Sequence, residues 1–210
     1  MKCLIVSGGN APSKELILKY SKCDLIIGAD KGASFLTDCG IIPHVLIGDF
    51  DSLSYEEAMM LQSKGCKVIA YKSEKDFTDT ESCLRYAIDA FCDDVVILGA
   101  IGTRLDHTLA NINLLGIPFE NKVKCVIEDE NNLMFLSKSP VYLKKGDKKY
   151  FSIFSYSDET IGLNITGAKY ELSNHTMNKN STLTVSNEFL SDTVKIDFTM
   201  GIVLIILSND

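Results

Sequence analysis

Four acidic segments follow short apolar runs in this chain: Gly28-Ala29-Asp30-Lys31, Gly48-Asp49-Phe50-Asp51-Ser52, Lys75-Asp76-Phe77-Thr78-Asp79 and Arg104-Leu105-Asp106-His107. Carboxylates are hard oxygen donors, and several of them at the ends of neighbouring strands can hold a divalent cation such as Mg²⁺. The basic residues among them, Lys31, Lys75 and Arg104, carry the charge that phosphate oxygens need. The chemistry this mixture suggests is that of a metal-nucleotide enzyme.

The segments differ in strength. Val45-Leu46-Ile47-Gly48 reads as a buried strand ending in glycine, and the alternating Asp49 and Asp51 then project from its end together. A single Asp there is accounted for by capping or solvation, whereas the pair favours a metal. In the third segment Thr78 or Asp79 opens a helix whose positive end suits phosphate, with Asp79 as a metal ligand and Lys75 beside it. Helix capping alone explains Thr78 or Asp79 equally well. In Gly99-Ala100-Ile101-Gly102-Thr103-Arg104 the glycines permit close backbone approach and the Arg104 fork grips oxyanions. Asp106 can anchor the metal or Arg104, His107 can orient either, and Asn111 faces the same pocket or remains a surface amide. Ser7-Gly8-Gly9 lacks the spacing of a dinucleotide fingerprint or a P-loop. Far downstream, Tyr170 can stack on a flat heteroaromatic ring while Ser186 and Asn187 bond its edge, although a strand aromatic and a polar turn are the plainer reading.

The elements that must position these groups alternate. Strands are expected at 2–6, 24–27, 45–47, 66–70, 95–98 and 123–127, and helices at 13–20, 33–39, 55–63, 80–90 and 105–115. Ser54 before Glu56-Glu57 marks one helix start, and Gly40, Gly65 and Gly116 read as helix ends. Beyond about residue 138 the texture changes to short β-branched and aromatic runs at 150–154, 162–165, 181–185, 193–198 and 202–207. The expected fold class is therefore an α/β N-terminal domain with a mainly parallel sheet over 1–138, followed by a small all-β sandwich or barrel domain over 139–210. A net charge of −7 over 210 residues argues against a nucleic-acid partner. Seven scattered cysteines without paired spacing read as reduced core thiols, and no apolar run nears the ~20 residues of a membrane span. The expected setting is cytoplasmic, with no membrane partner.

Taken in order, the four acidic segments together with Tyr170 and Ser186-Asn187-Glu188 resemble the thiamine pyrophosphokinase (thiamine diphosphokinase) family over nearly the whole chain. The resemblance implies transfer of a pyrophosphoryl group from Mg-ATP to the thiamine hydroxyl, giving thiamine diphosphate and AMP. It implies Asp49, Asp51 and Asp79 as metal and catalytic carboxylates with Arg104 as a further catalytic group, and Asp30, Lys31, Lys75, Thr78, Arg104, Asp106 and His107 on the nucleotide side. It also implies Tyr170, Ser186 and Asn187 at thiamine, a thiamine-binding and dimerising C-terminal domain, and a homodimer with its active site at the subunit interface. Thr103 and Ala168 depart from the family's usual residues at those places. Asp51 and Asp79 both remain candidates for accepting the hydroxyl proton. Two rivals stay in view: a phosphatase using Asp49-Phe50-Asp51 as a nucleophile loop, and a sensor that binds without turnover.

Overall fold

Uninterrupted apolar runs in the first half of the chain are what strands need when both faces of their sheet are covered. The computed structural model describes residues 1–49, 54–71 and 76–210, so Asp51 and Lys75 lie outside the described residues. The chain divides into two compact units, Met1–Glu130 and Asn131–Asp210.

The first unit contains β1 (Lys2–Val6), β2 (Leu25–Ala29), β3 (Val45–Gly48), β4 (Lys67–Ala70), β5 (Asp94–Leu98) and β6 (Lys124–Glu128). Between them lie α1 (Lys14–Lys19), α2 (Gly32–Asp38), α3 (Tyr55–Ser63), α4 (Asp79–Asp89), α5 (Leu105–Leu114) and α6 (Gly116–Glu120). The strands pair in parallel in the order β6-β5-β1-β2-β3-β4. On one face Leu4, Val6, Ile26, Val96 and Leu98 pack with Leu16 and Ile17 of α1 and Leu36 of α2. Burying each such side chain contributes roughly 1.5–3 kcal/mol. α4 packs on β1, β2 and β3 and buries Cys83, Leu84 and Ala87 completely.

Local signals explain several ends. The Ser54 oxygen accepts from the Glu57 N–H at 3.2 Å and the Glu57 carboxylate accepts from the Ser54 N–H at 3.0 Å, a reciprocal cap. At α4 the cap is Thr78, whose oxygen accepts from the Glu81 N–H at 3.2 Å. α5 ends just before Gly116, with Leu115 as its C-cap, and Gly116 at once opens α6, because Leu115 stays in helical geometry and Pro118 is tolerated within a first turn.

The second unit is antiparallel throughout its described pairings. Its strands are β7 (Asn132–Ser137), β8 (Val141–Lys144), β9 (Tyr150–Ser155), β10 (Glu159–Thr166), β11 (Leu172–Asn178), β12 (Asn187–Glu188), β13 (Thr193–Asp197) and β14 (Val203–Ser208). They run in the orders β12-β9-β14-β7 and β11-β10-β13-β8. Both sets contribute to one apolar cluster, among them Phe151, Ile153 and Ile205 from the first and Leu163, Ile165 and Ile196 from the second. Within this unit β7 is laddered to β14 over six residue pairs. The strand expected at 181–185 is not formed: residues 183–186 make a turn that ends with Ser186 in left-handed geometry, φ 57°. Thr184 alone points inward there, with its hydroxyl donating to the Ile153 carbonyl. No helix among the described residues is long and apolar enough to cross a membrane.

Candidate active site

β1 is the strand at which the first unit reverses direction. The chain moves from β1 outward through β2, β3 and β4, then returns to place β5 on the opposite side of β1. The loops leaving β1 and β5 at their carboxyl ends therefore diverge, and ligands of parallel sheets settle in the crevice so formed. A cleft of about 610 Å³ lies at this place.

Five segments line it. The turn after β1 gives Ser7, Gly8, Gly9 and Asn10; the end of β2 gives Ala29, Asp30 and Lys31; Asp49 follows β3; and the start of α4 gives Phe77 to Thr80. The loop after β5 adds Gly99, Ala100, Gly102, Thr103 and Arg104, with His107 and Asn111 from α5. The two turns beside the crevice are stitched together: the Gly9 N–H donates to the Gly99 carbonyl and the Asn10 N–H to the Ile101 carbonyl, each at 2.8 Å. A side chain at position 9 would put its Cβ 2.5 Å from both the Gly99 and Ile101 carbonyl oxygens, so glycine permits this approach. Thus Ser7-Gly8-Gly9, weak as a sequence motif, becomes part of the floor through its neighbour strand.

Asp30 leaves β2 in left-handed geometry, φ 46°, while its N–H continues the strand pairing to the Ile47 carbonyl at 2.8 Å. Asp is among the few residues that adopt this conformation readily. Asp30, Asp49 and Asp79 bring three half-buried carboxylates to one cleft. Their oxygen-only chemistry suits a hard divalent cation. Among the described residues no three His, Cys, Asp or Glu side chains stand as a ready metal cage, and Asp51 lies outside them. Asp79 sits in the first turn of α4, at the positive end of its dipole.

Arg104 and His107 reach the cleft, but Asp106 does not line it. Asp106 instead grips Arg104 side-on, with Nε to Oδ1 at 3.2 Å and Nη2 to Oδ2 at 2.6 Å, and also accepts from the His107 N–H at 3.0 Å. The Arg104 guanidinium, assisted by that N–H, pulls the Asp106 carboxyl down to about 2. Of the two roles read for Asp106, the structure supports the one that orients Arg104. Asn111 is buried and donates to the Ala100 carbonyl at 2.7 Å, which shapes the loop that carries Arg104. Thr80 and Asn10 line the cleft without having been marked in the sequence. Neither has a motif of its own; the switch-point position of its segment is the one pointer to Asn10, and for Thr80 it is the place next to Asp79 in the first turn of α4.

In the second unit Tyr170 is 59% exposed. Its backbone is held by the buried Asn187, whose Oδ1 accepts from the Tyr170 N–H at 3.0 Å and whose Nδ2 donates to the Tyr170 carbonyl at 2.7 Å. The Asn187 amide also accepts from the Glu188 N–H at 2.9 Å, so it braces Tyr170 and does not stand open toward solvent. The Ser186 N–H is taken by the Ser152 hydroxyl at 3.0 Å.

Comparison with known proteins agrees with this architecture. Residues 18–127 match the family model "Thiamin pyrophosphokinase, catalytic domain" and residues 139–203 match "Thiamin pyrophosphokinase, vitamin B1 binding domain". A thiamine pyrophosphokinase of Bacillus subtilis is 35% identical over 189 residues, covering 89% of this chain and 88% of its own. The crystal structure of a thiamine pyrophosphokinase from that organism superposes with a TM-score of 0.90 at 32% identity over the whole of both chains. A family member from Enterococcus faecalis superposes at 0.88 with 29% identity, again over the whole of both. With both family models matched in order and a relative this similar along most of its length, this chain belongs to the thiamine pyrophosphokinase family.

Proposed function

We propose that this protein transfers a pyrophosphoryl group from Mg-ATP to the hydroxyl of thiamine, giving thiamine diphosphate and AMP. The observation that carries the reading is the convergence of Asp30, Asp49 and Asp79 with Arg104 and a glycine turn on one switch-point cleft. Family membership supplies ATP and a divalent metal in general terms; Mg²⁺ is the form we assign. Asp49, Asp51 and Asp79 are the residues to hold it, with Asp30 in support, and bound there it would neutralise phosphate charge and orient the triphosphate.

The residues of the chain account for the remaining work. The positive end of α4, with Thr78, and the Gly8-Gly9 turn cradle phosphate oxygens, and Lys75, which lies outside the described residues, is assigned the same role from its place in the sequence. Arg104, held by Asp106, together with Lys31, offsets the charge that grows on the departing group. The thiamine hydroxyl oxygen forms a bond to the β-phosphorus, the bond from that phosphorus to the α,β-bridging oxygen breaks, and its electron pair leaves with AMP. The hydroxyl proton passes to Asp51 or Asp79. Excess carboxylate also favours the thiazolium cation. On the thiamine side Tyr170 offers a stacking face, Asn187 acts by holding the Tyr170 backbone, and Ser186 stands beside it. The second unit, whose two sheets we read as a sandwich, is assigned thiamine binding and dimerisation, and the active protein is a cytoplasmic homodimer completing each site at the subunit interface.

AMP release measured with and without thiamine, and with and without Mg²⁺, tests the reaction. Release that requires both supports it. Thiamine-independent hydrolysis of generic phosphomonoesters would favour the phosphatase reading, and binding of both substrates with no AMP would favour a sensor. Asp49→Asn and Asp79→Asn should each abolish product, and retention of turnover in either would remove that carboxylate from the mechanism.

A further inference from the structure

We infer that the buried hydroxyl pair of Ser7 and Thr80 positions Asp79 for the reaction, an inference that rests on the reading of Asp79 as a catalytic carboxylate. Ser7 Oγ and Thr80 Oγ1 lie 3.0 Å apart across 73 residues of sequence. Their residues are 2% and 7% exposed, and both line the cleft. Burial excludes competing water, so the bond persists and its loss leaves a polar group unsatisfied.

Each end of the pair is fixed to a different wall. The Ser7 N–H donates to the Leu98 carbonyl at 2.8 Å, which seats Ser7 on the end of β5, and Gly8 and Gly9 follow it directly. Thr80 follows Asp79 in the first turn of α4. The body of α4 is anchored by Cys83, Leu84 and Ala87, all fully buried, but those contacts begin one turn later. Among the polar contacts that hold the first turn are the Thr78 cap on Glu81 and the Ser7–Thr80 bond. The second joins that turn directly to Ser7, at the end of β1. Packing alone would be served equally by valine at position 80, which has the same shape without the oxygen. The hydroxyl thus fixes the distance between the Gly8-Gly9 turn and the Asp79 carboxylate.

The test is a double-mutant cycle of Ser7→Ala and Thr80→Val, assayed by AMP release well below the unfolding temperature. Each single variant should lower kcat by about 5- to 30-fold, with KM for ATP and thiamine within about twofold of wild type, since misplacement affects the reaction more than binding. The double variant should be no slower than the slower single, and Thr80→Ser should restore most of the rate. Kcat near wild type in both singles, effects that multiply in the double, or failure of Thr80→Ser to recover would each overturn the inference. Should Thr80→Val not fold, Ser7→Ala with Thr80→Ser gives the same decision. Asp79→Asn separates the two levels: if it is inactive while Thr80→Val is fully active, only the positioning role fails, and if it is active, the underlying reading fails.

Discussion

Gly32→Ala is the most demanding check on the packing that sets the cleft. Gly32 opens α2 directly after Asp30 and Lys31, and a Cβ there would lie 1.9 Å from the Val6 carbonyl oxygen and 2.5 Å from its carbon. Bringing the oxygen contact out to 3.0 Å, the shortest that real Cβ atoms tolerate, needs a displacement of about 1.1 Å. Val6 cannot supply it, because it is fully buried and β1 is paired on both sides, to β2 and to β5. The start of α2 must move instead, and Lys31 and Asp30 move with it. Such overpacking costs about 1–3 kcal/mol, offset in part by the better helix propensity of alanine, up to about 1 kcal/mol. A net loss of about 1–2 kcal/mol lowers Tm by roughly 2–8 °C for a chain of this size. A shift of this size among positioned groups can cost on the order of 100-fold in kcat/KM. Circular dichroism melting and AMP release measure the two effects. A Gly32→Ala protein within twofold of wild-type activity and with an unchanged or raised Tm would refute the close packing of α2 on β1.

Further outcomes follow from charge and burial. The depressed Asp106 carboxyl stabilises the fold fully above the ordinary value of 3.8, and that contribution disappears as pH falls toward about 2. Asp106→Asn should therefore flatten the acid limb of stability below about pH 4 while leaving the neutral-pH activity profile without a new inflection, as chemical denaturation across pH can show. Burial pushes the thiols of Cys66 and Cys125 up to about 11 and about 12, and raises Cys3 further still. Iodoacetamide at neutral pH should label Cys23 and Cys39 in the native protein and reach the five buried cysteines only after denaturation, which mass spectrometry reads directly. Glu128 is buried at the end of β6 and accepts from Lys19 Nζ at 2.7 Å and from the Tyr20 hydroxyl. Glu128→Ala should cost about 1–3 kcal/mol in urea denaturation, well short of a fully buried pair, because Lys19 is 53% exposed and can rehydrate.

Much of the first unit was legible because its signals are local. Apolar runs located the strands to within a residue or two, Ser54 marked a helix start that the structure confirms as a cap, and of Thr78 and Asp79 the structure makes Thr78 the cap. The turn at 183–186 was missed because its β-branched composition mimics a strand, while the left-handed Ser186 that prevents pairing has no compositional signature. β7 had no signal of its own in the sequence, because its ladder partner β14 lies far downstream and composition does not disclose such a pairing.

The sequence by itself determined the acidic segments, the alternation that puts them at strand ends, and the ordered combination that marks the family. Those properties rest on residue type and short-range spacing, which the chain carries whatever its fold. Only the tertiary structure decided that β1 is the switch strand and that the unremarkable Ser7-Gly8-Gly9 lines the cleft. It also turned Asp106 toward Arg104, engaged Asn187 with the Tyr170 backbone, and joined Ser7 to Thr80. Strand order governs which distant segments meet, and a hydrogen bond across 73 residues has no trace in local spacing.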